Sequence, residues 1–143
     1  MSAAESGAAI RDALANDLTI DIVTTGARSG LARRIEIWFT TISGQIVIGG
    51  TASAGATDGG HTPRDWLANL RAEPRFWFCL KESVQAELTA EAHEVRDLAR
   101  RRAYFMAPET RWYRDNSPST EVLIAEGPLV EVRFTGDYAW LND

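Results

Sequence analysis

Residues 18–39 alternate as a pair of β-strands does. In the run Leu18-Thr19-Ile20-Asp21-Ile22-Val23-Thr24-Thr25 the two isoleucines share one face. After a break at Gly26-Ala27-Arg28-Ser29-Gly30 the chain resumes with Ile35, Ile37 and Phe39 on one face and Glu36 and Trp38 on the other. Ser43-Gly44 then turns the chain into 45–48, so the three runs predict an antiparallel meander. Residues 75–81 are apolar on both faces, as a strand inside a sheet is, and Glu82-Ser83 turns them into the alternating run 84–88. Runs 121–125 and 129–134, split by Gly127-Pro128, read as the closing strands.

Helical spacing is confined to short pieces. Ile10 and Leu14 lie one turn apart in 7–16. Thr62-Pro63-Arg64-Asp65 has the cap, the proline at the first helical position and the acidic residue of a helix start, and Trp66 and Leu70 follow on one face before Pro74. A third segment covers 96–106. The expected class is mainly β (α+β): six or seven antiparallel strands in a small closed or partly closed barrel, with short helices at its ends, since closure removes exposed edges. One domain spans 1–143, with an N-terminal helix over 1–17 and the barrel over 18–135.

Composition narrows function mainly by exclusion. A formal net charge of −5 lacks the basic surplus of a nucleic-acid binder. No apolar run approaches a membrane span, and the first residues lack the basic and apolar regions of a signal peptide, so a cytoplasmic location is expected. The single cysteine, Cys79, rules out an intrachain disulfide and reads as a small core residue. His61 and His93 lack metal-ligand spacing, so no metal is expected, and there is no nucleophile elbow, P-loop or dinucleotide fingerprint. Arg100-Arg101-Arg102 reads as the solvated face of its helix, and Glu87, Glu91 and Glu94 as the outer face of a strand.

The segment 26–34 stands out because everything it offers is a hydrogen-bond donor. Its two glycines permit positive φ and exposed N–H groups, Ser29 adds a hydroxyl, and Arg28, Arg33 and Arg34 add guanidinium forks that match phosphate or carboxylate. Two readings stand: a turn with arginines in water, or a cradle for an anion. Trp66 reads as a core anchor or a ring partner, Asn69 as a tie between backbone groups or a ligand contact, and Tyr113 as a packing residue or a hydrogen-bond donor to substrate.

The order of these features resembles a known family. Thr24-Thr25-Gly26-Ala27-Arg28-Ser29-Gly30-Leu31-Ala32-Arg33, an apolar strand ending Ile37-Trp38-Phe39, a strand into the Gly/Ala/Ser loop 51–60, and Trp66-Leu67-Ala68-Asn69 through Pro74 look like the deazaflavin (coenzyme F420)-dependent nitroreductase family. That family belongs to the split β-barrel superfamily shared with FMN-binding, pyridoxamine-phosphate-oxidase-like proteins. The similarity runs in order through about residues 18–90. It implies coenzyme F420, whose phosphate and glutamyl tail would lie across Arg28, Ser29, Gly30, Arg33 and Arg34, with Glu36, Ile37, Gly50, Thr51, Ala52, Ser53 and Trp66 completing the cofactor set. Trp112 and Tyr113 would face the substrate. Ala27 stands where the family usually has arginine, Arg28 where it has lysine, Glu36 where it has proline, and the usual Lys-Gly-Gly of the next loop is replaced.

The implied activity is an oxidoreductase: hydride from the reduced deazaflavin passes to an electron-poor small molecule, such as an activated enone or lactone, a quinone or a nitroaromatic. No catalytic residue is required, although Tyr113 is a possible proton donor. The alternatives are an FMN-dependent oxidoreductase on the same barrel and a non-enzymatic binder of a cofactor, haem or lipid. Monomer and homodimer are both compatible with the resemblance.

Overall fold

A computed structural model describes residues 3–52 and 65–143, with side chains from residue 6 onward. Ser53, His61, the Thr62-Pro63 helix start and most of the Gly/Ala/Ser loop lie outside the described residues. Helix α1 (Ala3–Asn16) leads into β1 (Thr19–Thr25), β2 (Ala32–Trp38), β3 (Thr40–Ile42) and β4 (Gln45–Gly49). Helix α2 (Asp65–Ala72) precedes β5 (Arg75–Leu80) and β6 (Ala86–Glu94). Helices α3 (Leu98–Phe105), α4 (Arg111–Asp115) and α5 (Thr120–Glu126) separate these from β7 (Leu129–Phe134). The seven strands form one antiparallel sheet in the order β2-β1-β5-β6-β7-β4-β3, curled into a half-barrel so that β2 reaches β4.

Alternation decides which face is inside. Ile20, Ile22, Phe76, Phe78, Leu80, Leu88, Ala90, Val130, Val132 and Phe134 point inward, and Phe78 meets Phe39 and Phe134 edge-on, with centroids 5.3 Å apart in each pair. Ala13 and Leu14 of α1 and Trp66, Leu67 and Leu70 of α2 pack against this core. A second, smaller core lies elsewhere: Ile42, Val47 and Leu129 from the strands meet Phe105, Tyr113, Leu123 and Ile124 from the helices.

The structure corrects four expectations. Residues 121–125 are helical, because Ser119 accepts the N–H of Val122 at 3.1 Å as an N-cap and the short apolar run fits a helix as well as a strand. The meander stops after two strands. Ser43 and Gly44, both at positive φ, do form a tight hairpin, but it joins β3 to β4, and β4 pairs with β7.

Glu94 shares the alternation of Leu88, Ala90 and Ala92 rather than that of Glu87 and Glu91, and is bound by Arg71 at 2.6 Å. Arg101 is not on a solvated face. It is 6% exposed and donates to the carbonyls of Ile124 at 2.6 Å, Val95 at 2.8 Å and Gly127, tying α3 to the chain on both sides of α5's end. A triple-arginine run looks like surface in sequence, yet α3 has to bury one face, and the three backbone acceptors there satisfy a buried guanidinium. No described helix is long and apolar enough to cross a membrane.

Candidate functional site

The β1–β2 turn is organised from within. Gly26 donates to Leu31 O at 2.8 Å, Gly30 to Gly26 O at 2.9 Å, and Leu31 to Ser29 Oγ at 3.1 Å. Ala27 donates to Asn69 Oδ1 at 2.9 Å, and Asn69 Nδ2 donates to Thr24 Oγ1 at 3.2 Å, so α2 holds the turn. The N–H groups of both glycines are used inside the turn, and of the two only Gly30 is at positive φ. Gly26 is needed for space, since a Cβ there would lie 2.6 Å from Ser29 Oγ, and Gly30 for its φ of 70°. Among the described residues the amides of Arg28 and Ser29 have no protein acceptor, and they sit at the exposed tip.

The three arginines separate by strand alternation. Arg33 pairs with Thr24 on the inward side of β2, and its Nε lies 3.5 Å from where a Gly26 Cβ would be, so it folds beside the turn. Arg34 projects from the opposite face. Its Nε binds Asp21 at 2.8 Å, Lys81 binds Asp21 at 2.7 Å, and Lys81 also binds Glu36. The Lys81 hydrogen bond, helped by Arg34, holds the Asp21 carboxyl below the usual aspartate range against the opposing effect of burial. Arg34 and Glu36 are thus committed to ion pairs, whereas Arg28 and Arg33 have no ion pair among the described residues. Ile37 sits on the inward face and packs against the main core.

At the other end of β2 lies a second cluster. Trp38 and Trp112 touch, with ring centroids 5.3 Å apart and planes inclined at 59°, and are 48% and 50% exposed. Tyr113 meets Trp112 edge-on but is itself 7% exposed within the second core, where burial pushes its phenol pKa up and keeps it protonated at neutral pH. Two bonds anchor α4: Arg114 Nη1 donates to the carbonyls of Phe105 at 2.6 Å and Ala107 at 2.8 Å. The Ser117 hydroxyl donates to Tyr113 O at 2.7 Å and accepts from Ala52 N at 3.2 Å, so it joins α4 to the segment after β4. In that segment Gly50 leaves room for Pro128, whose Cγ would lie 3.0 Å from an added Cβ.

Besides Arg34 and Glu36 in their ion pairs, Ile37 against the core and Gly50 against Pro128, the expected site residues fall into three places. Arg28, Ser29, Gly30 and Arg33 gather at the turn. Ala52, next to Thr51 in the chain, is joined through Ser117 to Tyr113, which meets Trp112 edge-on. Trp66 is buried in the main core, with its side chain beside Leu67 and Leu70. Sequence reasoning passed over Trp38 and Ser117. Alternation had placed Trp38 outside, but nothing in one sequence says that an indole from α4 meets it. Among the described residues no group of histidine, cysteine and acidic side chains could hold a metal ion.

Among the described residues, donors without internal partners gather at the β1–β2 turn, and half-exposed indoles lie where β2 ends. Arg33 and Trp38 are on opposite faces of the strand, Arg33 with Ile35 and Ile37, Trp38 with Arg34 and Glu36. The guanidiniums of Arg28 and Arg33 and the hydroxyl of Ser29 are of the chemistry that suits an anionic group, such as the tail of coenzyme F420.

The sequence model of the family described as F420H(2)-dependent quinone reductase matches residues 3–125. No curated protein matches the chain. Among solved structures, an F420 reductase superposes with a TM-score of 0.58 at 16% identity, covering 88% of this chain and 93% of that one. A FAD-binding protein from Mesorhizobium loti gives 0.57 at 14%, covering 95% and 91%. A heme binding protein from Mycobacterium smegmatis gives 0.57 at 14%, covering 94% of this chain and 52% of the other. At such identities the structural likeness is one of fold, the split β-barrel, and it spans proteins of several cofactors. The family match covers most of the chain and agrees with the order of motifs along it: this chain belongs to the F420H(2)-dependent quinone reductase family of oxidoreductases.

Proposed function

We propose that the chain reduces a quinone with hydride from coenzyme F420, the acceptor being chosen from the wider class of enones, quinones and nitroaromatics that are electron-poor enough to accept it. The observation that supports this reading is the donor cluster at the β1–β2 turn: the guanidiniums of Arg28 and Arg33, without ion pairs among the described residues, beside the unpartnered amides of Arg28 and Ser29. When bound, the reduced deazaflavin supplies a hydride, two electrons and one proton. The protein's part is positioning.

Arg28, Arg33, the Ser29 hydroxyl and the amides of Arg28 and Ser29 bind the anionic tail with charge-assisted hydrogen bonds. Asn69 keeps those amides in place by fixing the neighbouring Ala27 N–H. Ser117 fixes the Ala52 backbone against α4, which keeps the planar end of the site in register with Trp112. Reduction of a quinone to a hydroquinone needs one further proton, and solvent delivers it through the half-exposed rim. Tyr113 is a positioning residue in this scheme, because its ring packs in the second core and supports Trp112.

The test is turnover. Protein incubated with reduced F420 and 1,4-naphthoquinone should re-oxidise the deazaflavin with one hydroquinone formed per cofactor oxidised. Retention of FMN through desalting, with no F420-dependent turnover, would replace this reading by the flavin one.

A further inference from the structure

We infer that the cleft between α2, the end of β6 and the start of α3 is a second ligand site, built for a compact aliphatic molecule that carries a carboxylate head. The site lies outside the cofactor reading and does not depend on it.

Two cavities adjoin there, of about 300 and 460 Å³, each lined by Arg71, Glu94 and Arg96. That is the size of a small-molecule site. The β1–β2 turn lies on the other side of α2. Asn69 and Arg71 are two residues apart, about 200° around the helix, so that Asn69 reaches Ala27 while Arg71 reaches Glu94 of β6.

Charge sets the head end. Glu94 accepts Arg71 Nε at 2.9 Å and Nη2 at 2.6 Å, and Arg96 Nη2 reaches it at 3.2 Å. Two guanidiniums thus meet one carboxylate, which leaves a surplus of one positive charge on a chain whose net charge is −5. The Arg71 hydrogen bond holds the Glu94 carboxyl below the usual glutamate range, so it stays ionised at neutral pH and keeps the two arginines side by side. Arg96 uses one N–H on Glu94, has no other ion pair among the described residues, and its side chain is 79% exposed, so the rest of its fork is available to a second oxyanion. A monoanionic carboxylate matches the single surplus charge.

The body end is aliphatic. Leu67, Leu70 and Val130 floor the smaller cavity, and Leu98 and Ala125 wall the larger one. Leu98 opens α3 and is 65% exposed, with no place in either core. Such a residue alone needs no explanation, but beside two arginines it supplies the contact that a short branched chain needs. No phenylalanine, tyrosine or tryptophan among the described residues lines either cavity, so the cleft offers an aliphatic body more than it offers a flat ring.

Calorimetric titration of the full chain tests the site with 4-methylpentanoate, and with 4-methylpentan-1-ol and inorganic phosphate as the body and the charge alone. The acid should bind at neutral pH with a Kd below about 1 mM, and the other two about tenfold more weakly or worse. Arg96→Gln removes the available fork, and Leu98→Glu turns the wall anionic. Both side chains are exposed, and an acid in the first turn of α3 is favourable, so neither change disturbs the fold. Each should weaken the acid about tenfold, with thermal unfolding unchanged. The double variant Arg28→Ala/Arg33→Ala, which removes the donor cluster of the turn, should bind the acid as the wild type does.

No binding by the wild type, unchanged affinity in Arg96→Gln, phosphate binding as tightly as the acid, or a loss confined to the Arg28/Arg33 double variant overturns the inference. Should Leu98→Glu fail to fold, Arg96→Gln decides the matter by itself.

Discussion

Asn69 binds Ala27: its Oδ1 accepts the Ala27 N–H at 2.9 Å, and its Nδ2 reaches Thr24 Oγ1 at 3.2 Å. One side chain on α2 therefore sets the shape of the β1–β2 turn, and Thr24 and Asn69 are both buried. Asn69→Leu removes an acceptor and a donor at once. Leaving the partners unpaired should cost about 2 kcal/mol in urea unfolding. F420 affinity should fall as well, since the tail-binding amides adjoin Ala27. Loss of stability alone, with unchanged affinity, would mean that the turn's shape does not matter for binding.

Arg101 should be the most sensitive arginine in the chain. Arg101→Met keeps the volume near Phe105 but strands the carbonyls of Val95, Ile124 and Gly127. The expected loss is about 3 kcal/mol or more in denaturant unfolding. Arg100→Met leaves Glu131 its Tyr104 hydrogen bond and Arg102→Met frees only the exposed Glu121, so each should change stability less. Similar losses at all three positions would contradict the buried role of Arg101.

Acid should dissolve the Asp21 network in a defined direction. The folded-state pKa of Asp21 is lowered, chiefly by the Lys81 hydrogen bond, so its contribution is complete above the ordinary aspartate range and disappears as pH falls through the lowered value. Glu94, lowered by Arg71, behaves in the same sense. The gap in thermal midpoint between wild type and Asp21→Asn should be widest near neutral pH and close on acidification. A constant gap would show that the ion pairs are not its source.

Legibility in sequence followed the physics of each segment. Ile20, Ile22 and the strand around Phe78 are fixed by period-two alternation, which needs no knowledge of neighbours. The helical state of 121–125 was hidden because Val122-Leu123-Ile124 is apolar without a period, and only the cap at Ser119 separates the two states. The burial of Arg101 was hidden because it depends on three carbonyls remote in sequence. At the site, Arg28, Arg33 and Arg34 look equivalent in one dimension. Alternation on β2 and the position of Asp21 across the strand pair separate Arg34, which is committed to an ion pair, from Arg33, which like Arg28 in the turn has none among the described residues.

Cys79 should be chemically silent in the native state. It is 1% exposed, and burial pushes its thiol pKa up, so little thiolate is present to react. A thiol reagent should label the protein only at the rate of unfolding, and stoichiometrically in denaturant. Rapid native labelling would contradict its placement between Asp21 and Glu87 on neighbouring strands.

If the β1–β2 hairpin divides its arginines between cofactor and fold, an F420 titration of alanine variants shows it most directly. Arg28→Ala and Arg33→Ala should each weaken binding about tenfold or more, and the double variant about a hundredfold, as expected for charge-assisted hydrogen bonds to an anionic tail. Arg34→Ala, which frees Asp21 rather than a ligand, should change the affinity by less than about twofold on the expectation that an exposed pair contributes little. Unchanged binding in the double variant, or a loss in Arg34→Ala equal to that in Arg33→Ala, would contradict it.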